Sequence, residues 1–272
     1  AQPRRRRRGR SRQGDAALVT MPDGTTLLID GGGRPRFAGG SDQREYGSIG
    51  ERVVSEYLWS RGLDSIDYVM ATHADADHID GLNDVLRNFR VRSAIVGRQP
   101  SGDPEYTRFA ETLRNAGVGT QVVQAGDVLR FGTVEVEILW PPADANSGSP
   151  SRNDDSVVVR IKFGERSFLL TGDIEKAAEA VLVTGSNNLT SDVVKVPHHG
   201  SRTSSTVPFV SAAQPQLAVI SVGRNSMFGH PHREVVERWQ AVGAEVLTTG
   251  HSGTITITTD GKDLAATTFM PE

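Results

Sequence analysis

Short apolar segments alternate along the chain with longer segments of helical periodicity. Five segments with apolar residues three or four positions apart predict helices, at residues 50–61, 79–88, 105–116, 174–183 and 233–242. Nine short segments rich in apolar residues predict strands, at residues 26–30, 66–72, 94–97, 134–140, 156–161, 167–173, 192–198, 217–223 and 254–259. Alternation of this kind indicates sheets covered by helices. The pattern alone does not distinguish one doubly wound sheet from a sandwich of two sheets.

Turn-forming residues mark the connections between these segments. Gly117 and Gly243 each follow a helical segment at the position that favours a left-handed cap. Composition predicts loops at residues 31–48, 99–104 and 141–155. The last of these is rich in Pro, Ser, Asn and Asp, and we expect it to lie on the surface, where it could cover a site.

The amino-acid composition excludes several classes of chemistry. The 272 residues contain no cysteine, which excludes disulfides, thiolate metal ligands and a cysteine nucleophile. No run of about 18 apolar residues is present, so the sequence predicts no membrane span. No signal peptide is visible, but the chain begins with Ala, so a removed targeting segment stays possible. The sequence predicts a basic arm at residues 1–12 and one folded domain at residues 13–272.

The charge of the chain is unevenly distributed. Seven arginines lie within residues 4–12, and without them 23 basic residues stand against 33 acidic ones. The arm is either a solvated tail or a segment that binds polyanions. The acidic remainder argues against a broad nucleic-acid footprint elsewhere on the protein.

The segment from Thr72 to His78 carries the densest chemistry. His73, Asp75, Asp77 and His78 follow an apolar strand and precede a helical segment. A strand end and a tight turn can aim such side chains into one pocket. Imidazole and carboxylate bind divalent cations well, and a cation offsets the repulsion between neighbouring carboxylates. The sequence therefore predicts a metal site here.

Each of the other candidate site residues allows two interpretations. Asp173 ends a strand and starts a helix, so it is either a helix cap or a metal ligand. Of His198 and His199, which follow another strand, one could be a ligand while its neighbour orients a second group. His230 is either a ligand or a turn residue. His232 either contacts substrate or only begins a helix.

Five ordered motifs resemble those of the metallo-β-lactamase superfamily. His-x-Asp-x-Asp-His at residues 73–78 resembles its signature, and Asp as the third residue is similar to the ComEC-type competence proteins. The other matching segments are GDAALVTMPDGTTLLIDGGG (14–33), SFLLTGDIE (167–175), KVPHHGS (195–201) and FGHPH (228–232). The likeness covers nearly all of residues 13–260. Where the family has its first strand, this chain has arginines, so the sheet either begins at Ala16 or has lost an edge strand.

The resemblance implies an αββα sandwich of two mixed sheets flanked by helices. It also implies two divalent ions, with Zn²⁺ as the default and Mn²⁺ as the competitor. Asp77 and Asp173 are the expected catalytic residues, Asp30 and Asn153 lie around the ligands, and Lys195, Ser201 and His232 would bind substrate. Residues 153–156 lack a histidine that many family members have there, which leaves the number of ions open. The ligands that the resemblance implies are His73, Asp75, Asp77, His78, Asp173, His198, His199 and His230.

These features leave three classes of function open. The first is a phosphodiesterase or nuclease that cleaves DNA, with single-stranded DNA as a partner and hydroxide on a metal as the nucleophile. The second is a hydrolase of small molecules such as a lactone, thioester or phosphorylcholine-type ester. The third is a metal-binding module without turnover. A competence-type role implies an extracytoplasmic site of action, and the other roles imply a cytoplasmic one.

Overall fold

The computed structural model describes residues 14–33, 50–144, 152–185 and 188–270. The predicted arm lies outside these residues, as does most of the predicted loop at 31–48 and part of the loop at 141–155. Within the described residues no helix is long and apolar enough to cross a membrane.

The first sheet has five strands in chain order. Its first two strands are antiparallel and every later neighbour is parallel, so the sheet is mixed. The strands are β1 (Ala17–Thr20), β2 (Thr26–Ile29), β3 (Ser65–Ala71), β4 (Arg90–Val96) and β5 (Gly119–Val122).

The second sheet has seven strands, in the order β12-β11-β10-β9-β8-β7-β6. Strands β6 to β9 pair antiparallel, and β9 to β12 pair parallel. A separate hairpin of β13 (Ile255–Thr259) and β14 (Leu264–Thr268) follows. The seven strands are β6 (Val128–Phe131), β7 (Val134–Trp140), β8 (Val158–Phe163), β9 (Arg166–Leu170), β10 (Val193–Lys195), β11 (Leu217–Ile220) and β12 (Glu245–Thr248).

The two sheets pack face to face. Leu27 and Ile29 point into the core between the sheets, whereas Leu28 points to the outer layer, because successive strand residues face opposite sides. Val136 reaches the same inner core from the opposite sheet. Burial on both faces explains why Leu27, Leu28 and Ile29 are all apolar.

Helices cover the outer face of each sheet, so the predicted αββα sandwich is confirmed. One side carries α1 (Glu56–Ser60), which follows a π-helical turn at Gly50–Ser55, with α2 (Ala76–Asn88) and α3 (Pro104–Ala116). The other side carries α4 (Lys176–Thr184), α5 (Val207–Ala213) and α6 (Arg233–Ala241), and the short α7 (Thr249–Ser252) follows β12.

Every predicted strand is present, but several are shorter than predicted. The predictions missed β5, β6, β12, β14, α5 and the short α7. Strand β5 has no buried residue and therefore no apolar alternation to detect. Helix α2 begins at Ala76, three residues earlier than predicted, so His78 lies within the helix. Gly117 has the left-handed conformation expected of it, with φ 69°.

Strand ends place the candidate residues at one edge of the sandwich. Asp30 follows β2, His73 follows β3, and Asp173 follows β9. His198 and His199 follow β10. The carboxyl ends of neighbouring parallel strands meet at a common edge, which is where open α/β sheets form ligand sites. In the described residues the first sheet begins at Ala17, in line with the expectation that it starts near Ala16.

Candidate metal centre

Asp30 joins the ends of β2 and β3. Its backbone has a φ of 59°. Oδ1 accepts the Thr72 N–H at 2.8 Å, and Oδ2 accepts the Thr72 hydroxyl at 2.8 Å. Oδ2 is also 2.8 Å from His78 Nδ1. One carboxylate thus fixes both the segment that carries His73 and the ring of His78.

Glycines let α2 approach these strand ends closely. A Cβ on Gly33 would collide with the carbonyl oxygen of Ala76, and one on Gly14 would collide with that of Asp77. The Asp15 N–H donates to the Asp77 carbonyl at 3.1 Å. The missing side chains therefore bring Asp15 beside the first turn of α2.

Four buried residues form what we call the inner cluster: Asp15, His78, Asp173 and His199. One ligand atom from each lies within 4.8 Å of the others. Asp173 Oδ2 is 3.1 Å from His78 Nε2 and 3.4 Å from His199 Nε2. Asp77 Oδ2 is 3.3 Å from His199 Nε2. Four elements that are far apart in sequence thus meet in one pocket.

Hydrogen bonds on the far side of two rings fix their orientation. His199 Nδ1 lies 2.8 Å from the Ser221 carbonyl oxygen, and His78 Nδ1 lies 2.8 Å from Asp30. Carbonyl and carboxylate oxygens only accept, so both Nδ1 atoms carry the proton. Each Nε2 is left facing the cluster, as in imidazoles that bind a metal.

The pocket contains buried polar atoms that make no hydrogen bond. Among the described residues, these are the Nε2 atoms of His73, His78 and His199 and both oxygens of Asp15, which have charged neighbours such as Asp173 and Lys195 but no hydrogen bond. Orphaned buried polar atoms are rare because each costs free energy. Their convergence fits a divalent cation, which imidazole nitrogen and carboxylate oxygen bind well.

The electrostatics of the pocket also fit a cation. Asp15, Asp30 and Asp173 are all buried, and the Lys195 ammonium contacts Asp15 and lies 3.3 Å from Asp173. Burial opposes ionisation of Asp173, yet His199, His78 and Lys195 hold its pKa well below the usual range. Burial likewise opposes protonation of the two rings, but Asp173 raises the pKa of His78 well above its usual value and that of His199 to about 10. A divalent cation could replace these protons.

Four further residues border the pocket and form the outer group: Asp75, His198, His230 and His232. The Asp75 side chain is 48% exposed, with one oxygen 3.8 Å from His73 Nε2. His198 Nε2 is 4.0 Å from Asp173, and its Nδ1 is 3.2 Å from Glu175 Oε1. The outer group therefore reaches the pocket only from its rim.

The remaining histidines of the outer group lie side by side. The ring centroid of His230 is 5.8 Å from that of His198 and 5.1 Å from that of His232. Burial and the neighbouring histidines lower the pKa of His230 to about 4. His232 is the N-cap residue of α6, so both sequence interpretations remain compatible with its position.

The structure places the other predicted residues as follows. Asn153 lies 3.4 Å from His198 Nδ1 and donates to Glu175. Ser201 is buried and contacts Thr203. Lys195 Nζ donates to the Gly172 carbonyl at 2.7 Å and pairs with acids of the inner cluster. None of these contacts tests the predicted roles in binding substrate.

Three residues of the site escaped the sequence analysis. Asp15 belongs to the inner cluster. Ser156 Oγ lies 3.2 Å from His73 Nδ1 and accepts the Asp173 N–H at 2.9 Å. Glu175 holds His198. Asp15 and Glu175 lie within the quoted motifs at 14–33 and 167–175, so their inclusion there was the available signal.

The fold and the site agree with a comparison of the sequence with known families. The metallo-β-lactamase superfamily matches residues 9–224. The chain belongs to this superfamily.

Curated relatives indicate which members of the superfamily the chain is similar to. The chain is 32% identical to ComE operon protein 3 of Bacillus subtilis (strain 168) over 89% of its own length and 31% of the relative. It is 30% identical to competence protein ComA of Neisseria gonorrhoeae over 73% of its length and 26% of the relative. The chain thus spans about a third or less of the competence proteins to which it is related, so their activities belong to much longer proteins.

Solved structures share the fold at low sequence identity. The metallo-β-lactamase fold protein YhfI from Bacillus subtilis superposes with a TM-score of 0.51 at 13% identity, over 87% of this chain and 88% of that one. A variant of the β-hydroxylase CmlA gives 0.52 at 17% identity, over 87% of this chain and 51% of that one. Identities this low bear on the fold alone.

Proposed function

We propose that this protein is a metal-dependent hydrolase that cleaves phosphodiester bonds in DNA. The observation that carries the proposal is the convergence of buried nitrogen and oxygen atoms without hydrogen bonds, from His73, His78, His199 and Asp15, at one sheet edge. Such a donor set fits divalent cations, and the intact cluster argues against a metal-binding module without turnover.

The inner cluster, with His73 and Asp77, would hold the metal, and Asp75, His198 and His230 could complete a second position at the rim. Zn²⁺ suits the imidazole nitrogens, and the carboxylates keep Mn²⁺ in competition. Divalent ions bound there would lower the pKa of a water molecule and polarise the scissile phosphoryl group.

The residues of the chain have separate tasks in this proposal. Asp77 lies at the boundary of the pocket and, despite burial, has a pKa lowered by His199 and His78, so it is an anion that can accept a hydrogen bond from the attacking water. Lys195 contacts Asp15 and Asp173, which favours a role in holding these carboxylates over direct contact with substrate. His232 and Ser201 remain candidates to meet the substrate.

DNA is the proposed substrate because the relatives named above are competence proteins. His198, His230 and His232 are only partly buried, so an extended phosphodiester could reach the pocket from this rim. A second candidate is hydrolysis of a small ester, thioester or lactone. The excess of acidic over basic residues outside the arm favours it, because such a surface attracts polyanions poorly.

One experiment separates these candidates. Metal-free protein is loaded with Zn²⁺ or Mn²⁺ and assayed on a labelled single-stranded oligonucleotide, on bis(4-nitrophenyl) phosphate and on a simple lactone. We expect metal-dependent cleavage of the first two, abolished by Asp173→Asn. Asp64→Asn, which alters a carboxylate 82% exposed at the surface, is the matched control and should be fully active. Cleavage of the lactone alone would favour the second candidate, and no turnover with either metal would refute both.

A further inference from the structure

The segment between β11 and α6 exposes two large apolar side chains beside the pocket. Met227 is 58% exposed and Phe228 is 41% exposed. The Phe228 ring stacks on His230, with 5.8 Å between the centroids and an interplanar angle of 30°. An aromatic ring that is only partly covered, next to a cluster of histidines, needs an explanation that core packing does not provide.

Local backbone geometry holds Phe228 in this position. The Gly229 N–H donates to the Ser226 carbonyl at 3.1 Å, and Gly229 has a φ of 72°, which closes a tight turn. The Phe228 N–H donates to the Ser226 hydroxyl at 3.3 Å. Arg224 anchors the start of the segment by donating to the Gly250 carbonyl at 2.9 Å. The turn thus presents the ring at the surface.

The position of Phe228 relative to the pocket defines what it can contact. His230, on which it stacks, lies 5.8 Å from His198 and 6.4 Å from His199 between ring centroids. The aromatic ring therefore stands at the rim of the pocket, directly against the candidate ligand His230. A group that projects from a phosphodiester held in the pocket would meet this surface.

We propose that Phe228, flanked by Met227, is a stacking platform for a nucleobase next to the scissile phosphate. This rests on the proposed cleavage of DNA. Base–aromatic stacking works with every base because each has a π face. Acidic residues outnumber basic ones in the body of the chain, so attraction to the phosphate backbone is weak and a contact that does not depend on charge has to supply affinity.

The test compares two strands that differ only in their bases. One is a single-stranded oligonucleotide, and the other is an abasic strand of equal length with the same phosphates. We expect Phe228→Ala to raise KM about tenfold for the strand that carries bases, within the range measured for one stacked base, and the loss to be confined to that strand. Phe228→Trp should retain wild-type KM because it keeps a stacking face. Phe269→Ala, at a ring 81% exposed in another part of the chain, is the matched control.

A binding measurement separates failure of this inference from failure of the proposed function. Metal-free protein is titrated into an oligonucleotide containing 2-aminopurine, whose fluorescence falls when the base stacks. We expect quenching with wild type and Phe228→Trp, and none with Phe228→Ala. If the protein cleaves neither strand yet quenches, the proposed function fails and the platform stands. Equal losses on both strands with reduced metal content would show that Phe228 only supports His230, and unchanged KM and quenching in Phe228→Ala would also overturn the platform.

Discussion

The inner cluster and the outer group differ in what holds their side chains. In the inner cluster, His78 is fixed by Asp30 and His199 by the Ser221 carbonyl, both at 2.8 Å, and all four residues are buried. In the outer group, the His198 side chain is 21% exposed and pairs with Glu175 at 3.2 Å. Asp75 is the N-cap residue of α2, but its side chain accepts no capping hydrogen bond from the helix.

This difference indicates a division of labour. Ligands whose second nitrogen is anchored keep their geometry without a metal and bind it with little reorganisation. Residues at the rim can change position, which suits a weaker or exchangeable position and contact with substrate. We therefore expect changes in the inner cluster to abolish activity and changes in the outer group to tune it.

The largest expected effect comes from the carboxylates that face the inner cluster. Asp77→Ala and Asp173→Asn should each lower kcat/KM at least about 1,000-fold, since metal-assisted stabilisation supplies several kcal/mol. Their circular dichroism spectra should match wild type. His232→Ala, in the outer group, should lose much less. Comparable losses of activity in all three variants would show that the inner cluster and the outer group are equally important for catalysis.

The next effect concerns the 3-10 turn at Asn153–Asp155, where Asn153 lies beside His198 of the outer group. Arg98 and Asp155 form an ion pair with side chains 1% and 9% exposed, and Asp155 also accepts the Arg152 N–H at 2.8 Å. Asp155→Ala breaks this buried ion pair, so we expect a loss of about 3–5 kcal/mol in the free energy of unfolding. Urea unfolding measures this loss. The double variant Arg98→Met with Asp155→Ala should recover part of it, and no recovery would contradict the explanation by the broken ion pair.

Asp30→Asn tests the anchoring of the inner cluster without removing a ligand. The amide keeps the shape but weakens the bonds to His78 and Thr72, so we expect metal affinity to fall about 10–100-fold. Competition with a fluorescent chelator gives the affinity. Asp67→Asn, which alters a carboxylate that bonds Thr26 on the same sheet, serves as the control. Equal affinity in Asp30→Asn would show that the anchor is dispensable.

The smallest expected effect is in the outer group. Glu175→Gln replaces a charged partner of His198 by a neutral one. A hydrogen bond contributes about 0.5–1.5 kcal/mol, so kcat/KM should fall about two- to tenfold. Metal content should stay at the wild-type level in elemental analysis. Loss of metal in this variant would show that His198 helps to retain the metal, as the inner cluster does.

The sequence predicted the parts of the site that are local. His73, Asp77 and His78 lie within six residues after a recognisable strand, so their convergence follows from one strand end and one helix start. The αββα layers followed from the motifs and the alternation of strands and helices. Strand β5 was missed because all its residues are exposed.

The sequence did not predict features of the site that depend on long-range contacts or on backbone conformation. Asp15 reaches the cluster only because Gly14 lets β1 approach α2, and no local pattern reports that contact. The sequence left open which of His198 and His199 enters the pocket. Both have positive φ, 48° and 53°, and this kink turns His199 inward and His198 to the rim. Lys195 looked like a residue for substrate, but its contacts with the buried acids depend on the folded pocket.

Titration of metal-free protein with Zn²⁺ tests most directly whether the inner cluster is a metal site. In the metal-free protein Asp173 and Asp15 raise the pKa of His199 to about 10 against the effect of burial, so this ring holds an extra proton at neutral pH, and the pKa of His78 is raised as well. These raised values stabilise the metal-free fold below the ordinary histidine pKa of 6.5, and that contribution is lost as pH rises towards about 10. Metal binding has to displace the protons on the ligand nitrogens, and calorimetry at pH 7 in buffers of different ionisation enthalpy should show proton release. Absence of binding, or binding without proton release, would contradict the assignment of these two histidines as ligands.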